Sequence, residues 1–268
     1  MKKIFSILII GCLLVLSYRL LITPVFAQRE FDDYSYQYEK YRDFAKTYEE
    51  ARTKYLTYQT LTAQDELAAA AKNLILSRCL VMRTYLVLLK LKIGQGANVV
   101  SATRTKLILS LDSEIGWLAE HETDIKNLTN PTFDDILATS LRFEKKGVLF
   151  SQLSYQVQAN MMVGKMRSLQ AESVAINFLL ADGISKNAHN KDTTTLNQWL
   201  EQVKEKTYLS QKYLDLADNS LTEFDRYNQE QSFLTSFNKI RGDLEQVRVG
   251  LLGAIDKQKE ILAEVKND

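Results

Sequence analysis

The stretch that decides the fold is residues 29–93, which read REFDDYSYQYEKYRDFAKTYEEARTKYLTYQTLTAQDELAAAAKNLILSRCLVMRTYLVLLKLKI. It contains neither glycine nor proline, the two residues that long helices exclude and that turns use most. The whole chain is equally poor in them, with 10 Gly and 2 Pro in 268 residues. Average usage would give about 19 and 13. Few breakers in a long chain predict few turns and long elements, so the sequence predicts an all-α protein.

The first part of this stretch carries aromatic residues at a heptad spacing. One position of the repeat is held by Phe31, Tyr38 and Ala45, with Arg52 as the exception, and the other by Tyr34, Tyr41, Tyr48 and Tyr55. Alternating steps of three and four residues place all of them on one helical face. Thr62 followed by Asp65 has the form of a capping box, which predicts a break near that point.

The second part, residues 66–93, is apolar on most of its circumference, which is typical of a helix buried inside a bundle. Gly94 is then a natural helix stop, and residues 94–98 (GQGAN) predict a turn between two helices. A third helix follows from about Val99 to Leu128, and its apolar seam is expected at Ile108, Leu111, Ile115, Leu118 and Ile125. The apolar arms on either side of the turn also resemble the hairpin of a pore-forming protein, but five basic residues within them favour a buried core hairpin.

The remaining chain predicts long helices separated by two loops and one irregularity. Residues 127–132 (NLTNPT) form the first loop, in which Asn130 and Pro131 start a helix that runs to about Ala181. Residues 182–194 form the second loop. The last helical region, 195–265, carries two heptad seams out of phase by one residue, and the polar run 226–232 between them predicts a kink, a skip or a short break. Gln258 is the one polar exception in the second seam, and Phe143, Phe150, Leu153 and Val157 are core candidates of the preceding helix.

Together these patterns predict one domain over residues 28–268, an elongated bundle with coiled-coil-like packing of four to six long helices. Residues 1–27 predict a secretory signal peptide, because a charged start precedes an apolar run and Ala27 provides a small residue before Gln28, the expected first mature residue. The alternatives are an uncleaved N-terminal anchor, which Arg19 weakens, and lipid attachment at Cys12.

The charge balance argues against nucleic acid as a partner. The formal net charge of +1 becomes −2 when residues 1–27, with three basic residues and no acid, are removed. A nucleic-acid-binding protein needs a clearly basic face. We therefore expect a protein partner or self-association, with a membrane involved only through an uncleaved N-terminal segment.

The tyrosines are the one candidate interaction surface. Tyr34, Tyr41, Tyr48 and Tyr55 are expected to pack in a bundle seam with their hydroxyl groups at its rim. Tyr36 and Tyr58 lie off that seam, so they are the better candidates for an exposed contact with a partner.

The sequence offers no catalytic, cofactor or metal site. A helical zinc motif at His121 would need a second histidine at position 125, which is Ile125, and a di-iron bundle would need a glutamate at position 118, which is Leu118. His189 lies in a polar stretch, and Cys79 lies in an apolar helix where an inert thiol is expected.

We therefore expect an exported structural or interaction protein of the cell envelope, without enzymatic activity or cofactor. Two alternatives stay open. One is a bundle that binds or senses a ligand, with a pocket beside Gly147 or Gly164. The other is a membrane-active, pore-forming helical protein.

Overall fold

The structure, a computed structural model, describes residues 25–96, 98–187, 193–224 and 230–266. These residues form six long helices and no strand, which confirms the all-α prediction. The helices are α1 (Val25–Tyr58), α2 (Leu61–Gln95), α3 (Ser101–Asn127), α4 (Phe133–Asn187), α5 (Thr194–Glu223) and α6 (Glu230–Lys266). The predicted signal peptide falls almost wholly outside the described residues, and α1 runs through the expected cleavage point between Ala27 and Gln28.

The break between α1 and α2 lies at Gln59 and Thr60. Gln59 adopts a left-handed conformation with φ 49°, and the Thr60 side chain caps α2 by accepting a 3.2 Å hydrogen bond from the Ala63 backbone N–H. The predicted capping box at Thr62 was therefore wrong by two residues. Both threonines carry the chemistry of a cap, and the position of the left-handed residue decides between them.

The helix α2 continues through Gly94, which sequence reasoning had taken as its stop. The C-cap is Gly96, and the left-handed residue of the following turn is Asn98, with φ 53°. The Arg104 guanidinium donates a 2.6 Å hydrogen bond to the Gly96 carbonyl, so a side chain of α3 satisfies one of the free carbonyls at the end of α2.

The helix α4 begins two residues later than predicted and ends six residues later. Its cap is Thr132, whose backbone N–H donates to the Asp135 carboxylate at 2.9 Å while its hydroxyl accepts from the Asp135 N–H at 3.2 Å. Asn130 instead takes a left-handed conformation, with φ 50°. Residues 182–187 of the predicted loop 182–194 are helical, and residues 188–192 lie outside the described residues.

The two out-of-phase seams of the last region belong to separate helices that pack against each other. The Ser210 side chain of α5 reaches the Val247 carbonyl of α6 at 3.5 Å. Of the predicted kink, skip or short break at residues 226–232, the structure has a break, since α5 ends at Glu223 and α6 begins at Glu230 and runs back along α5. A shift of one residue between two seams gives the same sequence pattern whether one helix kinks or the chain reverses and forms a second helix.

The core divides into two halves that α4 joins. In the N-terminal half, α2, α3 and the first part of α4 bury one apolar cluster that includes Leu86, Leu111, Leu118, Phe143 and Phe150. In the C-terminal half, the rest of α4 packs with α5 and α6 as a three-helix bundle, and its two clusters include Val163, Leu214, Phe233, Ile240 and Val247, then Leu180, Val203 and Ile261. At 55 residues α4 is about 80 Å long, so it passes through both halves. No helix in the described ranges is long and apolar enough to cross a membrane.

Candidate interaction surfaces

The seam tyrosines of α1 attach this helix to its neighbours. The Tyr34 ring lies 5.5 Å from that of Tyr85 on α2, and the Tyr55 ring lies 5.8 Å from that of Phe133 on α4. Tyr48 packs against the N-terminal core. Partial burial, together with the nearby Tyr85 and Tyr38, raises the pKa of Tyr34. These side chains are half-buried, as expected for a bundle seam.

Tyr36 and Tyr58 are exposed, with 57% and 67% of their surface accessible to solvent. Tyr36 carries the Lys40 ammonium group 5.6 Å from its ring centre. None of the described side chains of α1 is fully buried, although the helix has 34 residues. The helix α1 is thus attached along one side and open along the other.

The second candidate region is a polar layer buried between α2, α3 and α4, which sequence reasoning missed. The buried seam of α3 runs with steps of four and three through Leu107, Leu111, Glu114, Leu118, His121 and Ile125, and Glu122 is buried beside it. The expected seam had instead used Ile108 and Ile115, which are only half-buried. Continuing the steps of four and three through the polar residues Glu114 and His121 would have identified the buried face of α3.

The buried carboxylates of this layer are paired. Glu114 accepts hydrogen bonds of 3.0 and 2.9 Å from the Lys146 ammonium group on α4. Glu122 lies 2.6 Å from Arg83 on α2 and 2.6 Å from Lys126 on its own helix. A buried charge is costly unless it is paired, so these contacts fix the mutual position of the three helices.

His121 is the unpaired member of the layer. Its ring stacks on Trp117 at 4.7 Å and lies 6.2 Å from the Phe143 ring, and its Nε2 atom has no hydrogen-bond partner. Burial and then the positive charge of Arg142 lower the pKa of His121, while Asp124 opposes that shift. The fold therefore favours the neutral imidazole.

Cys79 next to this layer is an inert thiol, as expected. It is 1% exposed, and its Sγ atom lies 3.6 Å from the Leu118 carbonyl oxygen. Burial, with a smaller contribution from Glu122, raises the pKa of Cys79 to about 12. The described residues contain no group of three His, Cys, Asp or Glu side chains that could hold a metal ion. His189 lies outside the described residues.

The C-terminal bundle has its own buried polar layer. Gln258 of α6 donates to the Ser173 carbonyl at 3.0 Å and to Asn177 Oδ1 at 2.7 Å, both on α4. Asn177 donates to the Thr207 hydroxyl of α5 at 3.3 Å, so the layer joins all three helices. Gln258 is the one polar residue in an otherwise apolar seam, and such residues fix the register of a helical bundle.

A groove of about 760 Å³ runs between α4 and α6 on the surface of this bundle. Its lining includes Met162, Met166 and Leu244, and the cations Lys165, Arg241 and Arg248. Among these cations, Arg248 is bound by Glu245 at 2.8 and 2.6 Å. Gly164 lies on the same turn of α4 but is buried and does not line the groove, and a Cβ atom at Gly147 would meet nothing within 4 Å.

Comparison of the chain with protein-family models, with curated proteins and with solved structures finds no match in any of the three. Function must therefore be inferred from the surfaces themselves.

Proposed function

We propose that this chain is an exported structural or interaction protein of the cell envelope, which presents a long helical face to a protein partner or to a second copy. The observation that carries the proposal is the open side of α1. A helix of 34 residues is about 50 Å long, and none of its described side chains is fully buried. Export rests on the sequence of residues 1–27 alone.

The exposed residues of α1 are of the kind that protein interfaces use. Tyrosine offers a large apolar area and one hydrogen-bonding group while losing little conformational entropy, and it is enriched among the residues that dominate binding energy. Phe31 and Tyr38, which were expected in the seam, are each 46% exposed, so this row of the predicted seam was wrong. The proposal assigns no catalytic chemistry to the protein, because the buried polar groups are paired or enclosed in the core instead of converging on a cleft.

Site-specific crosslinking in the cells that make the protein tests this function. A photoreactive amino acid at Tyr36 or Tyr58 should give a discrete crosslinked product, of either a partner or a second copy. The matched control is Tyr208 on α5, which is 75% exposed but lies outside α1. Products at Tyr36 or Tyr58 and none at Tyr208 would support the proposal, whereas no product, or equal products at all three positions, would overturn it.

A further inference from the structure

We propose that the groove between α4 and α6 receives the acidic outer face of α1 from a second copy of this chain. This inference rests on the proposed function and names the partner. It follows from the charge, the length and the chemistry of two exposed surfaces.

The groove combines a soft apolar floor with a basic rim. Met162 and Met166 supply the floor, and methionine adapts its shape to the side chains that it meets. On the rim, Glu245 pairs with Arg248, while Lys165 and Arg241 form no hydrogen bond or ion pair with any of the described residues. This cationic surface needs an anionic partner, and an elongated groove between two helices suits a helix.

The acidic outer face of α1 consists of Asp32, Tyr36, Glu39 and Asp43, which are all exposed. Their spacing of four, three and four residues puts them on one side of the helix. That side is turned away from the tyrosines that contact α2. Residues 30–39 contain four acids and no base, so this segment between Arg29 and Lys40 is negative.

The two surfaces match in length. From Asn238 to Arg248 the groove follows α6 over ten residue steps, about 15 Å, and Asp32 to Asp43 covers eleven residue steps of α1, about 16 Å. In this arrangement the Tyr36 ring would enter the methionine floor, where sulfur–aromatic contacts are favourable, and Glu39 and Asp43 would face Lys165 and Arg241.

The partner must be another molecule, because Tyr36 of the same chain is exposed and does not line the groove. Two different surfaces then meet, so the contact is heterologous and a dimer keeps one free groove on one molecule and one free α1 face on the other. Association should therefore continue beyond the dimer, as a ring or an open row.

Charge reversal tests the inference, using protein purified from the cells that make it and sedimentation over a hundredfold range of concentration. The average mass of the wild-type protein measured by sedimentation should rise with protein concentration. Lys165→Glu with Arg241→Glu should weaken association at least tenfold, and so should Glu39→Lys with Asp43→Lys. The matched control is Lys145→Glu with Lys212→Glu, which changes the net charge equally at exposed positions outside the groove.

The decisive samples are the combinations. An equimolar mixture of the two double variants should associate as far as wild type, in alternating order, because the groove of each variant is complementary to the α1 face of the other. All four reversals in one chain should restore continued association. Reversals no more effective than the control, or a mixture that stays monomeric, would overturn the inference.

The failure of this inference is distinct from that of the proposed function. A wild-type protein that stays monomeric over the whole range would overturn the groove contact. A crosslinked product of Tyr36 with a different protein would still support an interaction function.

Discussion

His121 is a residue whose burial makes the stability of the whole protein depend on pH. The fold lowers the pKa of its imidazole, so the unfolded chain takes up a proton more readily than the folded chain as the pH falls through about 6.5. The free energy of unfolding should therefore decrease from pH 7 towards pH 5 and level off below the pKa of the folded state. Chemical denaturation at a series of pH values measures this dependence.

His121→Leu should flatten that dependence, because leucine fills the space between Trp117 and Phe143 without a titrating group. The control is a glutamine at His189, the other histidine of the chain, which should leave the slope unchanged. An unchanged slope in His121→Leu would show that the dependence comes from groups other than His121.

Single residues were predicted from sequence only where they are apolar or clearly exposed. Phe143, Phe150 and Leu153 were expected in the core and are buried, and Gln258 was recognised as a polar exception in its seam. Glu114, His121 and Glu122 were missed as core residues. Their burial depends on partners such as Lys146 and Arg83, which lie far away in the sequence and become neighbours only when the helices pack.

The pairing of α5 with α6 depends on a glycine at their closest approach. A Cβ atom at Gly250 would lie 2.2 Å from the Ser210 Oγ atom and 3.3 Å from the Lys206 carbonyl oxygen. That hydroxyl is held by the same carbonyl at 2.9 Å. Because glycine has no side chain, the backbones of α5 and α6 approach each other closely at Gly250. The gain in packing there offsets the low helix propensity of glycine.

Gly250→Ala should destabilise the protein by about 1–2 kcal/mol, because crowding at the interface exceeds the gain in helix propensity. Gly242→Ala on the same helix is the matched control, since a Cβ atom there would meet nothing within 4 Å. That variant should stabilise the protein by about 0.5–1 kcal/mol. Thermal or chemical unfolding of both variants measures the difference, and equal effects would contradict a close approach at Gly250.

The helices themselves were more predictable than their ends. Heptad seams and the lack of breakers identify long helices, since both follow from local geometry. The ends of the helices depend on single capping residues. The observed caps are Thr60, Thr132 and Gly96, and the sequence offers equally suitable candidates nearby at Thr62, Asn130 and Gly94. Which of two neighbours ends or begins a helix depends on the left-handed residues Gln59, Asn98 and Asn130. Their residue types do not by themselves predict that conformation.

At the scale of the whole molecule, α4 should make the two halves unfold together, because one continuous helix contributes to both cores. Each half contains one of the two tryptophans of the chain, Trp117 on α3 and Trp199 on α5, and each packs against the core of its half. The variants Trp117→Phe and Trp199→Phe therefore report separately on the C-terminal and the N-terminal half.

Phe150→Ala, which removes a ring that is 1% exposed in the N-terminal core, should lower stability by about 3–5 kcal/mol. If α4 couples the halves, the denaturation midpoints seen by Trp117 and Trp199 should coincide in the parent protein and fall by the same amount in this variant. Val148→Ala, at an exposed position on the same helix, should leave both midpoints nearly unchanged. A midpoint that falls only for Trp117 would mean that the C-terminal bundle keeps its fold while the N-terminal half is lost. The groove and the acidic face of α1 would then be independent units joined by a helix that can melt between them.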